Sequence, residues 1–95
     1  MPPSPTIVLY RRAGCHLCDE ARAILDAILA ARADGGLVAP AVVERDIDAD
    51  DELRGRFTTT IPVVEIGDDR LELAISARQL RRFVETALAE EPTTA

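Results

Sequence analysis

The chain has 95 residues, 47% of them hydrophobic and 29% charged, a composition that fits one modest folded core and excludes a disordered chain. Its formal net charge of −6 argues against nucleic acid or an anionic membrane surface as a partner. No segment has the length and hydrophobicity of a transmembrane helix, and residues 1–5 lack the pattern of an export signal, so a cytosolic location is expected. We expect a monomeric single domain over residues 1–95, with mobile ends at about 1–5 and 90–95.

A strand and a long helix are predicted first. The unbroken apolar run at Thr6–Tyr10 predicts a central strand that is covered on both faces. After a loop at residues 11–14, hydrophobic side chains recur at helical spacing from about Cys15 to Ala33, and the glycines at 35 and 36 favour the end of that helix. The predicted buried stripe of the helix consists of Leu17, Ala21, Ile24, Leu25, Ile28 and Leu29.

The middle of the chain predicts a second strand and a short helix. The strand is expected at Ala41–Ile47, and Asp48 is expected to cap a helix that continues through about Phe57. Leu53 and Phe57 would share the buried face of that helix. An acidic cluster in this region consists of Asp46, Asp48, Asp50, Asp51 and Glu52. Because the cluster lacks the spacing and the glycine of a calcium-binding loop, we interpret it as a solvated helix cap.

A hairpin and a final helix are predicted in the last third. Val63–Ile66 and Arg70–Leu73 have strand patterns, and the turn residues at 67–69 favour a hairpin. Ser76 and Gln79 form a capping box before a helix. The side chains expected to be buried in this helix are Leu80, Phe83, Val84, Ala87 and Leu88. The predicted order is β-α-β-α-β-β-α, an α/β fold with a parallel first pair of strands and a mixed four-stranded sheet with helices on both faces.

Cys15 and Cys18 are the only cysteines, and they form a C-x-x-C motif where the first strand gives way to the first helix. The free N–H groups and the positive dipole end of a helix N-terminus stabilise a thiolate and lower a cysteine pKa from about 8.5 to roughly 3.5–7.5. Cys15 should gain most from this position, and Cys18 lies one helical turn further on the same face, within bridging distance. We therefore predict Cys15 as the nucleophile and Cys18 as the resolving thiol.

Other interpretations of the cysteine pair are a zinc or iron–sulfur site and an inert pair. His16 lies between the two cysteines and cannot easily complete a tetrahedral zinc site with both. A structural disulfide that closes so small a loop would add little stability. A redox-active dithiol is therefore favoured, and no metal ligand is predicted.

Two segments resemble the thioredoxin-fold superfamily, and most closely its glutaredoxin-like proteins. Tyr10–Cys18 resembles the strand end and dithiol of glutaredoxins, and Thr60–Val64 resembles the Thr-Val-Pro segment of the family. The resemblance extends from about Thr6 to Leu88 and implies a thioredoxin-like fold. It also implies that Cys15 attacks a disulfide and that Cys18 resolves the mixed disulfide.

The resemblance implies further substrate contacts. Ile61–Pro62 would be a cis peptide beside the dithiol, and the backbone of Ile61 would pair with substrate. Arg12 lies near a position where many glutaredoxins carry lysine, and it would stabilise the Cys15 thiolate or a glutathione carboxylate. The Gly-Gly pair and acidic residue of glutathione-binding glutaredoxins are absent before the last helix, which leaves Ser76 and the helix N-terminus to receive a carboxylate.

His16 stands where glutaredoxins commonly have proline. A protonated His16 would favour the thiolate, whereas the neighbouring Asp19 and Glu20 would oppose it. We interpret His16 as an exposed residue that tunes the reduction potential rather than as a general base.

The sequence thus predicts a thiol–disulfide oxidoreductase that reduces protein or small-molecule disulfides. No tightly bound cofactor is expected, and the recycling reductant would be glutathione or a thioredoxin-reductase-like enzyme. Two alternatives remain. One is a redox-sensing or binding module without turnover, and the other is an iron–sulfur carrier in which two protomers hold a cluster through Cys15.

Overall fold

The computed structural model describes residues 6–89, so the ends expected to be mobile, 1–5 and 90–95, lie outside the described residues. The elements follow the predicted order, with an additional 3₁₀ turn at Ile47–Ala49. They are β1 (Ile7–Arg11), α1 (His16–Asp34), β2 (Val42–Asp46), α2 (Asp51–Phe57), β3 (Val63–Ile66), β4 (Asp69–Leu71) and α3 (Ala77–Ala87). Among these helices none is long and apolar enough to cross a membrane.

The four strands form one mixed sheet in the order β2-β1-β3-β4. Because β1 and β2 are joined through α1, they run parallel, whereas β3 is antiparallel to β1 and to β4. The register places Tyr10 opposite Val63, so the end of β1 lies beside the start of β3. The predicted mixed sheet is confirmed, and β1 is one of its two central strands.

Hydrophobic clusters cover both faces of the sheet, as predicted. On one face α1 and α3 pack over the strands, around Leu25 and Leu80. On the other face α2 contributes Leu53 and Phe57. That second cluster consists of Tyr10, Ile47, Leu53, Phe57 and Val63. The alternation of inward and outward side chains along β1 serves both layers at once.

The predicted buried stripe of α1 was correct except at its first position. Leu17 is 47% exposed, whereas Cys18 is completely buried. The helix begins at His16, and its buried face consists of Cys18, Ala21 and Leu25 together with Ile28 and Leu29. Ile24 is partly buried at the edge of this face. The prediction for Leu17 was therefore wrong: both Leu17 and Cys18 have helical spacing to Ala21, and in the first turn it is Cys18 that packs into the core.

The predicted cap of α2 was also wrong. Asp50 Oδ1 accepts hydrogen bonds from the N–H groups of Glu52 at 2.9 Å and Leu53 at 3.3 Å, so Asp50 caps the helix. Asp48 lies inside the 3₁₀ turn, and Asp46 caps that turn by accepting from the Asp48 N–H at 2.9 Å. The predicted single helix is therefore two short helical segments, and β2 ends one residue before the prediction.

The segment after the hairpin leaves the sheet earlier than predicted. β4 ends at Leu71 rather than Leu73, and Leu73 has a φ of 52°. This left-handed conformation cannot continue a strand, so the chain turns away towards α3. In α3, Leu80 and Val84 are buried as predicted. The other side chains of the predicted face are partly buried against the core: Phe83, Ala87 and Leu88.

Candidate functional site

The dithiol occupies the start of α1, and its two sulfur atoms differ sharply in access. Cys15 is half-buried and is the N-cap residue, and Cys18 is completely buried one turn later. The two residues are joined as a disulfide, with their Cα atoms 5.2 Å apart. The Cys18 N–H donates to Cys15 Sγ at 3.1 Å, so the first cysteine also satisfies an otherwise free backbone donor of the helix.

A tight loop delivers Cys15 from β1 to the helix. The Cys15 N–H donates to the carbonyl of Arg12 at 3.3 Å, which closes a turn between the strand and the helix. Gly14 has a φ of 77°, a left-handed conformation that glycine adopts without steric cost. The loop therefore places the accessible sulfur at the end of the sheet where β1 terminates.

The Ile61–Pro62 peptide bond is cis, as the resemblance implies. The register of β1 and β3 places this loop beside the segment that leads to Cys15, and Pro62 is buried. The Ile61 N–H already donates to the Phe57 carbonyl at 3.1 Å. Its carbonyl is therefore the remaining backbone group of Ile61 for substrate pairing. The hydroxyl of Thr60, next to the loop, is buried and has no hydrogen-bond partner within residues 6–89.

The segment before α3 is fastened to the cis-proline loop. Leu73 and Ala74 donate their N–H groups to the carbonyls of Thr60 and Pro62, at 2.8 and 2.9 Å. Ser76 is the N-cap of α3, and its Oγ accepts from the Gln79 N–H at 3.3 Å. Ser76, which was predicted to receive a ligand carboxylate, thus uses its hydroxyl oxygen to cap the helix.

The side chain of Arg12 is bound by a carboxylate within the chain. Its Nε and Nη2 atoms each lie 2.9 Å from an oxygen of Asp48, which makes a bidentate pair. The same pair lowers the pKa of Asp48, chiefly through the hydrogen bond from Arg12. Arg12 also lines a cavity of about 290 Å³ together with Arg11, Ala13, Glu44 and Asp46. This cavity adjoins the dithiol loop.

Four of the five side chains of the acidic cluster have partners within the chain, and Glu52 is the exception among the described residues. Asp46 and Asp50 cap helical segments, Asp48 binds Arg12, and Asp51 pairs with Arg54. The interpretation of this cluster as capping residues is therefore confirmed for Asp46 and Asp50. Across residues 6–89, no group of three or more His, Cys, Asp and Glu side chains has an arrangement that fits a metal ion.

Sequence reasoning missed an ion-pair network beside the dithiol. Arg11 Nη2 lies 2.6 Å from Asp19 Oδ1, and Glu44 on β2 lies 3.7 Å from Arg11 and 3.0 Å from Arg22. His16, by contrast, is simply exposed at the first position of α1. The sequence did contain a signal for the Arg11–Asp19 pair: a basic residue stands at the end of the first strand, and an acidic residue stands in the first turn of the helix.

These features define a class of protein. A helix-capping cysteine bonded to a buried cysteine, beside a cis-proline loop at the end of the central strands of a mixed four-stranded sheet, is the arrangement of a thioredoxin-like redox module. The chain belongs to the family described as Glutaredoxin-like domain (DUF836), whose model matches residues 6–87.

Solved structures agree with this assignment. The target protein XcR50 from X. campestris matches with a TM-score of 0.67 and 28% identity, covering 85% of this chain and 97% of that chain. A malarial protein matches with a TM-score of 0.63 and 13% identity, covering 90% of this chain and 99% of the other, a likeness that shows the fold alone. No curated protein matches the chain. The predicted thioredoxin-like fold and glutaredoxin-like family are confirmed.

Proposed function

We propose that the protein is a thiol–disulfide oxidoreductase in which Cys15 attacks and Cys18 resolves. The observation that carries this proposal is the difference in access: Cys15 is half-buried at the surface, whereas Cys18 is completely buried beneath it. A substrate disulfide can therefore approach only the first sulfur. The start of α1 supplies N–H groups and a positive dipole end that favour a thiolate at Cys15 in the reduced protein.

The reaction proceeds by two thiol–disulfide exchanges. The Cys15 thiolate attacks one sulfur of the substrate disulfide, and the other substrate sulfur leaves as a thiolate and takes up a proton. Cys18, one turn along the helix, loses its proton and attacks Cys15 Sγ, which releases the second substrate thiol. The substrate has then gained two electrons and two protons, and the protein holds the Cys15–Cys18 disulfide.

The substrate is proposed to be a protein or small-molecule disulfide, and no tightly bound cofactor takes part. Exposed hydrophobic side chains support a protein substrate, because Leu17 lies between the two cysteines and Leu73 lies in the segment bound to the cis-proline loop. Glutathione or a thioredoxin-reductase-like enzyme would recycle the disulfide. Support for glutathione is weaker, since Arg12 and Ser76 already have partners within the chain.

The test is a pair of cysteine substitutions. Cys15→Ser should abolish reduction of a test disulfide such as insulin, because serine cannot form the mixed disulfide. Cys18→Ser should retain the attack but trap the mixed disulfide, which intact mass spectrometry would detect as a covalent adduct. Full reductase activity in Cys15→Ser protein would refute the proposal.

A redox titration of the unsubstituted protein is the control. The protein is equilibrated in buffers with different ratios of reduced to oxidised glutathione, and its intact mass is measured in each. Oxidation of the dithiol should lower the intact mass by two hydrogen atoms, with a midpoint near the roughly −200 to −270 mV of glutaredoxins and thioredoxins. A glutathione adduct that persists on Cys15 would identify glutathione as the reductant. Absence of any transition, together with thiols that resist alkylation, would exclude catalytic turnover by this dithiol.

A further inference from the structure

An ion pair next to the dithiol ties the end of β1 to the first turn of α1. Arg11 Nη2 lies 2.6 Å from Asp19 Oδ1, and the Arg11 side chain is only 17% exposed. The Asp19 N–H donates to the Cys15 carbonyl at 3.1 Å, which places Asp19 one helical turn after Cys15. The carboxylate and the attacking sulfur therefore start from backbone positions stacked on the same side of the helix.

We propose that Arg11 is a positioning residue for the dithiol, which neutralises Asp19 and so preserves the reactivity of Cys15 as a thiolate. This inference rests on the proposed role of Cys15 as the attacking thiol. An unpaired carboxylate in the first turn would repel a thiolate at the helix N-terminus and compete for the same N–H groups and dipole. Arg11 supplies the opposite charge from a strand, and its low exposure holds that charge in place.

The other charged side chains around the Arg11–Asp19 pair either have different partners or are exposed to solvent. The dithiol loop contributes Arg12, which binds Asp48 of the 3₁₀ turn. The remaining charged and titratable groups near the pair are His16, Glu20 and Arg22 on α1 and Glu44 and Asp46 on β2. Glu44 is closer to Arg22, at 3.0 Å, than to Arg11, at 3.7 Å. Neither Ile61 and Pro62 of the cis-proline loop nor the adjacent Thr60 carries a charged side chain. Within residues 6–89, Arg11 is the cation that pairs with Asp19.

The experiment measures the alkylation rate of Cys15 by iodoacetamide against pH, with the protein reduced and the modified residue located by mass spectrometry. Arg11→Gln should raise the midpoint of this pH profile by about 0.5–1 pH unit, the effect of one unscreened charge at ~6 Å in a largely aqueous environment. At a pH below the midpoint, alkylation should then be roughly 3–10-fold slower. Asp19→Asn should lower the midpoint by a similar amount.

Two further variants separate charge from structure. Arg11→Lys retains the charge and should keep the midpoint close to that of the unsubstituted protein. The double variant Arg11→Gln/Asp19→Asn removes both charges and should also return the midpoint to that value. Arg22→Gln is the matched control, because this arginine belongs to the same network but pairs with Asp26 and Glu44 rather than Asp19. Its midpoint should not move.

The outcomes distinguish this inference from the proposed function. Rapid alkylation of Cys15 in the unsubstituted protein, with midpoints unchanged in Arg11→Gln and Asp19→Asn, would overturn the inference and leave the oxidoreductase intact. An unreactive Cys15 in the unsubstituted protein would instead overturn the proposed function. Should Arg11→Gln fail to fold, Asp19→Asn decides alone, since an unchanged midpoint in that variant contradicts the inference.

Discussion

At the scale of single residues, Tyr10 shows how the strand behind the dithiol is anchored. Its hydroxyl donates to Glu65 Oε1 at 2.8 Å, and its ring lies 4.8 Å from that of Phe57. Burial raises the pKa of Tyr10 above its usual 10.0, and the hydrogen bond to Glu65 raises this pKa further. A raised pKa means that the neutral phenol stabilises the fold below about pH 10 and that this contribution is lost as pH rises through the folded-state pKa.

Tyr10→Phe should therefore flatten the loss of stability above pH 10. The chain has one tyrosine and no lysine, so in the oxidised protein the alkaline change belongs mainly to this residue. Near neutral pH the variant should be about 1–2 kcal/mol less stable, because Glu65 loses its donor. Urea unfolding from pH 7 to 11 measures both effects. Tyrosinate absorbance of the unsubstituted protein gives the pKa directly, and a midpoint at or below 10 would contradict the prediction.

At the scale of elements, the N-terminus of α2 is capped by Asp50 and not by Asp48, the residue that the sequence predicted. Asp50→Ala should lower the free energy of unfolding by about 1 kcal/mol, because two N–H groups at the start of the helix lose their acceptor. Asp51→Ala is the matched control: it removes the neighbouring carboxylate and an exposed pair with Arg54, and should cost about 0.5 kcal/mol or less. Equal losses in the two variants would show that charge rather than capping matters.

The choice of cap shows where sequence reasoning reached its limit. Hydrophobic periodicity indicated every helix and strand in the right order, and the C-x-x-C motif located the dithiol. Four aspartates from 46 to 51 are all suitable caps, however, and one of them, Asp48, binds Arg12, which lies 36 positions earlier in the chain. The pairing of Arg11 with Asp19 was missed for a similar reason: the sequence shows a basic and an acidic residue near the dithiol, but their contact depends on how the end of β1 approaches the first turn of α1.

At the scale of the whole molecule, two hydrophobic layers share one thin sheet, and we predict that they unfold together as a single domain. Ile7 belongs to the layer under α1 and α3, and Ile47 belongs to the layer under α2. Ile7→Val and Ile47→Val should each lower the free energy of unfolding by about 0.5–1.5 kcal/mol. In the double variant the losses should add to within about 0.5 kcal/mol.

Ile75→Val is the control for these substitutions, since Ile75 is 49% exposed and its truncation should change stability by about 0.5 kcal/mol at most. Denaturant unfolding of the oxidised proteins should give one transition, with circular dichroism and tyrosine fluorescence in agreement. Two separate transitions, each shifted by only one of the core substitutions, would show that the layers unfold independently.

Because Cys15 also caps α1, a substitution at this position can retain the folded helix while it removes the thiol. Serine is among the best N-cap residues, so an exchange of Cys15 for serine keeps an acceptor for the Cys18 N–H, whereas alanine removes it. One nucleotide change can convert a cysteine codon into a serine codon. A single substitution at this position would therefore remove the proposed disulfide exchange and leave the capped helix and its neighbouring loops folded, as a surface on which a different use can evolve.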